Sequence, residues 1–173
     1  MAQPVPTLKE FLLAQLDREA ALTRKTIARV PEGQNDFKPH ERSMEFGYLA
    51  ALVAGMLGWI ALMIDRDELN LDDRANDVFR TRPLGSSAEL NACLDEAVEK
   101  ARRSLESTTD QHLLTPWAFK MGGQVIDQQP RYGMIAGAVF SHLAHHRGQL
   151  TVYLRLNEAK VPALYGPSAD EHL

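Results

Sequence analysis

The chain of 173 residues has one cysteine, Cys93, which rules out an internal disulfide and fits a reducing compartment. Cys93 lies among apolar helix positions, where an inert buried thiol is the expected reading rather than a nucleophile. Positive charge is also short: 19 Lys and Arg stand against 23 Asp and Glu, a net charge of -4. That balance gives no electrostatic reason to expect nucleic-acid or anionic-membrane binding. The segment Met1-Ala2-Gln3-Pro4-Val5-Pro6 lacks the basic start and apolar stretch of a secretion signal. No run is read as approaching the roughly 20 apolar residues of a membrane span. These absences lead to the expectation of a cytoplasmic protein with neither nucleic acid nor membrane as partner. What remains is an ordinary globular composition, 45% hydrophobic and 24% charged, with length for one domain over residues 1–173 and a real core. Repeats, low-complexity tracts and a second domain are absent.

Helical periodicity dominates the pattern, and an all-α fold is expected. Thr7-Leu8-Lys9-Glu10 reads as a capping box. Leu8, Phe11, Leu12, Leu16, Ala20, Thr23, Ile27 and Val30 then keep helical spacing until Pro31 and Gly33 end the run, giving a helix near 7–30. Ser43 is the expected cap of a second helix over 43–65, apolar almost all round and therefore central. Ser86-Ser87-Ala88-Glu89 is another capping box, opening a helix over 87–108 with Leu90, Leu94, Val98, Ala101 and Leu105 on one face. The last helix is expected over 131–158, with Pro130 as its start signal and Ile135, Val139, His142, His146, Gln149 or Leu150, and Tyr153 on one stripe.

Two connections are long. Residues 66–85 are polar and long enough for a crossover. Residues 108–129 hold Trp117, Phe119 and Met121, then Gly122-Gly123, then Val125 and Ile126, the pattern of a short β-hairpin. Trp59 and Trp117 read as core rather than as a ligand platform, and Gly166-Pro167 as a turn that folds the tail back over the helices.

The chemistry concentrates in His142-Leu143-Ala144-His145-His146-Arg147-Gly148-Gln149. His142 and His146 are four residues apart, so one helix face carries both rings, the way a helix offers two imidazoles to one metal ion. The alternative is a hydrogen-bonded core pair, since two imidazoles buried without partners would cost a few kcal/mol. Gln149 can orient His146 from behind. Arg147 is read in the same outer layer, pairing with a carboxylate or a carbonyl near the tail. His145 lies about 60° around the helix, on the surface or at a subunit contact.

Several segments in this order resemble the DinB/YfiT-like superfamily of four-helix proteins. They are Phe37-Lys38-Pro39-His40-Glu41-Arg42-Ser43-Met44, Gly58-Trp59, Gly122-Gly123-Gln124, the histidine segment, and Val161-Pro162-Ala163-Leu164-Tyr165-Gly166-Pro167-Ser168. The resemblance implies an up-down-down-up four-helix bundle, frequently a homodimer, with a zinc- or nickel-like ion held by three histidines in an open cleft. It also implies chemistry like that of thiol-dependent S-transferases and isomerases, although many members have no known activity. Carried onto this chain, the paired histidines map to His142 and His146, but the remaining ligand position on the second helix is Leu52. A catalytic zinc site keeps three protein ligands and an open position, and Leu52 removes one. Tyr48 and Met56, one turn away, are poor zinc ligands; a carboxylate such as Glu19 or Asp65 is the remaining substitute.

Two function classes follow. In one, the bundle has a degenerate metal site, holds zinc or nickel weakly or not at all, and serves as a small-molecule-binding or dimeric interaction module. In the other, it is a divalent-metal-dependent thiol S-transferase or hydrolase using His142 and His146, with a metal-bound water or thiolate as nucleophile. Leu52 favours the first. A homodimer is expected on either reading, because a second helix apolar all round is expected to leave an apolar face uncovered.

Overall fold

In the computed structural model, which describes residues 5–73 and 81–172, the first helix starts where Thr7 and Glu10 cap each other. The Glu10 amide donates to the Thr7 hydroxyl (3.2 Å) and the Thr7 amide to the Glu10 carboxylate (2.8 Å). Those bonds from Thr7 hold the Glu10 carboxyl below its usual range. Asp110, far along the chain, accepts from the Leu8 and Lys9 amides, so this helix end has few orphan donors left. The result is α1, Leu8–Ile27, which buries Leu12, Leu16 and Ile27 and leaves Phe11 facing outward.

The second helical run begins three residues later than expected. Ser43 sits in a turn, its amide donating to the His40 carbonyl, and Glu45 is an N-cap without a side-chain bond. Backbone carbonyls do the capping instead: Phe37 accepts from the Phe46 amide and Asn35 from the Gly47 amide. A larger residue at Gly47 would have to displace Asn35, whose side-chain oxygen would lie 2.8 Å from its Cβ. The run is α2 (Phe46–Gly55), one 3₁₀ turn (Met56–Gly58) and α3 (Trp59–Asp65). Contrary to the sequence reading, Phe46–Asp65 is long and apolar enough to cross a membrane, but 78% of its most apolar window is buried against its own chain. The same burial removes the reason given for self-association, because the apolar surface of this run is already covered. Leu49, Val53, Met56, Leu57 and Ile60 are at most 1% exposed.

The third long helix, α4 (Ser87–Ser107), follows its capping box as expected. It packs on α1, α2 and α3. A single turn, α5 (Asp110–Leu113), follows. The last run opens with α6 (Arg131–Met134), passes through a π-helical segment (Ile135–Ser141) and continues as α7 (His142–Leu156), which packs on α2 and α1.

The wider π turn changes the phase of the expected stripe. The buried line runs Ile135, Val139, Leu143, His146, Leu150 and Tyr153, so Leu143 takes the place expected for His142, which is exposed.

Strand structure exceeds the expected hairpin. β1 (Glu68–Asn70) pairs parallel with β2 (Pro116–Met121), and β2 pairs antiparallel with β3 (Gln124–Pro130), in the order β1-β2-β3. The link between β2 and β3 has positive φ at both Gly122 (61°) and Gly123 (72°), which glycine adopts without strain. The Asp72 carboxylate accepts from both turn amides at 3.0 Å, and these bonds hold its carboxyl below the usual range. The fold is therefore mostly helical with a small three-stranded sheet. The rest of the expected crossover, residues 74–80, lies outside the described residues, as do residues 1–4.

One buried cation joins sheet and helices. Arg131, 2% exposed, donates to Thr115 Oγ1 (2.9 Å), to the Met63 carbonyl (2.6 Å), to the Arg66 carbonyl and to the Asp67 carboxylate (2.5 Å). It thereby satisfies carbonyls left free at the end of α3. Arg131→Met leaves those acceptors without a donor, and we expect a loss of about 3 kcal/mol in urea unfolding with little change in slope.

Candidate functional site

The π segment delivers α7 with His142 at the protein surface and His146 beneath it, 6% exposed. Their Nε2 atoms are 2.9 Å apart, and His146 Nδ1 is 2.7 Å from Gln149 Oε1. The amide oxygen can only accept, so His146 Nδ1 carries hydrogen and, in the neutral ring, Nε2 is the acceptor. His142 then donates from Nε2 and keeps Nδ1 as a bare acceptor. Burial pushes the His146 pKa below the ordinary histidine value, with the charges of His142 and His145 adding to the effect against the Gln149 bond. His146 is thus held neutral at neutral pH. The His145 ring, exposed, lies 5.0 Å from His146 and 6.5 Å from His142, centroid to centroid.

Two imidazole nitrogens on one tetrahedral zinc sit about 3.4 Å apart, given bonds of about 2.1 Å. The pair is within a small ring rotation of that spacing. A third donor is the difficulty. Among the described residues no three His, Cys, Asp or Glu side chains converge as a metal cluster. Leu52, 8% exposed, lines a separate cavity with Cys93, Glu89 and Glu96. Both substitute carboxylates are engaged elsewhere: Glu19 by Arg147 and Tyr165, Asp65 by the Ser104 hydroxyl (3.0 Å). The donor set does not fit a resident three-ligand metal. Cys93 is half-buried, and burial pushes its thiol pKa up, away from thiolate chemistry.

Arg147 is fully buried and turned toward α1 and the tail. It donates to Glu19 Oε2 and the Glu19 carbonyl (3.2 Å), to Thr23 Oγ1 (2.9 Å) and to the Tyr165 hydroxyl. Tyr165 in turn donates to Glu19 Oε2 (2.8 Å), and burial raises its own pKa. Gln149 therefore stands behind His146, whereas the described bonds of Arg147 all run to other groups.

A cavity of about 300 Å³ opens beside His142. Trp59, Leu62 and Met63 line it from α3, Leu69 from β1, Trp117 and Phe119 from β2, Asp127 from β3, and Met134, Ala138 and His142 from the last run. Trp59 and His142 have ring centroids 6.0 Å apart. Trp117 is core, as expected, but it is also wall. Trp59, expected in the core, is only partly buried. The sequence reading missed Asp127 and the role of the sheet. The signal was the alternation of Trp117 and Phe119, which puts both rings on one face of β2.

This layout, helices carrying an HxxxH pair with a small sheet closing a cavity beside it, can be compared with known proteins. A sequence model of the DinB family matches residues 1–172. The chain belongs to the DinB family. Solved DinB-like structures share its fold. One from Bacillus cereus is 18% identical, with a TM-score of 0.67, over 92% of this chain and 98% of that one. Another, from Bacillus subtilis, is 20% identical, with a TM-score of 0.64, over 88% and 95%. No curated protein sequence matches. Within this DinB-family chain, the Arg147–Glu19 pair is separable from the histidines. Arg147→Met strands a buried carboxylate and is expected to cost about 3 to 5 kcal/mol in chemical denaturation. Adding Glu19→Gln should recover part of that loss, and zinc affinity should not follow either change.

Proposed function

We propose that this DinB-family protein binds a small apolar molecule in the cavity beside His142 and holds zinc or nickel weakly or not at all. The cavity carries this reading. Its walls are almost wholly aliphatic and aromatic, with His142 and Asp127 the only titratable side chains among the described residues, a makeup typical of small-molecule sites. The His142–His146–Gln149 chain supplies an oriented acceptor at its edge. We also propose that the four long helical runs follow the family's up-down-down-up bundle order, which their mutual packing supports.

A metal-dependent thiol S-transferase or hydrolase would need a third donor beside His142 and His146, and Leu52 does not supply one. Isothermal titration with zinc and with nickel decides between the readings. We expect weak or undetectable binding by the native chain, and Leu52→His should tighten it by about tenfold or more, about 1.4 kcal/mol per decade. Tight stoichiometric binding by the native chain, abolished by His146→Ala, would put the enzyme first. In parallel, a neutral apolar probe such as indole should bind the native protein in equilibrium dialysis, and Ala138→Trp, which fills the cavity, should abolish it.

A homodimer is part of the proposal on the family resemblance alone. Light scattering at micromolar concentration should give twice 19.3 kDa, and the monomer mass would overturn it.

A further inference from the structure

The charges around the cavity narrow its ligand to one class. Among the described residues, Asp127 is the only formally charged group in the wall, and no lysine or arginine lines it. Asp127 lies opposite Phe119 in the antiparallel register, and Gln129 lies opposite Trp117, so the four side chains share the face of the sheet turned to the helices. Asp127 Oδ2 accepts from Gln129 Nε2 at 2.8 Å, and its other oxygen has no hydrogen bond among the described residues. Nearby cations are already matched. Arg131 is spent on Thr115, Asp67 and two carbonyls, and Lys120 is paired with Glu68 at 2.6 Å. An anion entering this cavity would find no counter-charge and would face a carboxylate.

A protonated amine finds the reverse. Three aromatic rings, those of Trp59, Trp117 and Phe119, line the space, and indole faces attract cations most strongly among aromatic rings. Asp127 offers a free carboxylate oxygen, and His142 is left with Nδ1 as an acceptor by the hydrogen-bond chain through His146 and Gln149. The Trp117 indole N–H is buried without a partner among the described residues, and Trp117 is one of the aromatic residues lining the space. Leu62, Met63, Leu69 and Met134 complete an apolar bed for the rest of the molecule.

We propose that the cavity takes a small hydrophobic amine, its aromatic or aliphatic body packed among these side chains and its ammonium group against Asp127. This rests on the small-molecule reading of the same cavity and adds the charge of the ligand.

Three probes of nearly one shape and different charge test it: phenethylamine, phenethyl alcohol and hydrocinnamate, titrated at neutral pH by ligand-observed NMR. The amine should bind about tenfold more tightly than the alcohol, and the carboxylate more weakly than either. Asp127→Asn should bring the amine down to about the level of the alcohol, with a much smaller effect on the alcohol itself. Ala138→Trp should abolish binding of all three, which places them in the cavity. An amine that binds no better than the alcohol, or keeps its advantage in Asp127→Asn, overturns the amine class and leaves the small-molecule reading standing. If none of the three binds at millimolar concentration, both fall.

Discussion

A guanidinium taken wholly out of water must find acceptors, and the core of this protein gathers them around both terminal nitrogens of one, leaving only its Nε without a partner among the described residues. Arg147 draws together the Glu19 carboxylate and carbonyl, the Thr23 hydroxyl and the Tyr165 hydroxyl. Removing water from both charges is expensive, and the bonds shared among Glu19, Thr23 and Tyr165 offset that cost. The consequence is positional. α1, α7 and the tail cannot slide past one another without stranding a buried charge. The tail is held further by the Arg29–Glu171 and Arg155–Asp170 pairs. With α7 fixed, the direction in which its histidines point is fixed too.

Arg131 does the same at the other end of the last helical run. By meeting carbonyls at the end of α3 and the Asp67 side chain, it sets the sheet against the helices. The cavity is the space left between them. Its polarity follows from this arrangement: Arg131 is consumed in holding its walls, and the Asp127 carboxylate on the edge strand β3 is left in the wall.

The helices were legible in the sequence because their signals are local. The capping boxes at Thr7 and Ser86 and the helical spacing of the apolar residues need no knowledge of the rest of the chain. The start of α2 was not, because its cap is the backbone of Asn35 and Phe37 rather than a side chain that composition can reveal. β1 escaped notice because three residues carry too little alternation, and a parallel partner lies about fifty positions away. At the site, the spacing of His142, His146 and Gln149 was readable as a helix face, and the hydrogen bonds join those three side chains. The cavity was not readable, since its walls come from two helical runs and all three strands. The carboxylates of Glu19 and Asp65 could be named as substitutes from sequence, but only the fold shows that each has another partner.

The π segment between Ile135 and Ser141 has a meaning in terms of insertion and deletion. Such a segment amounts to one extra residue accommodated inside a helix, and one residue is about 100° of rotation. Met134 before it, Ala138 within it and His142 just after it line the cavity, while the rest of the following helix carries His146 and Arg147 into the core. The bearing between ligand bed and histidine pair is therefore set by a single position in the chain. A lineage could lose or gain that residue and turn one against the other while every side chain on both kept its identity.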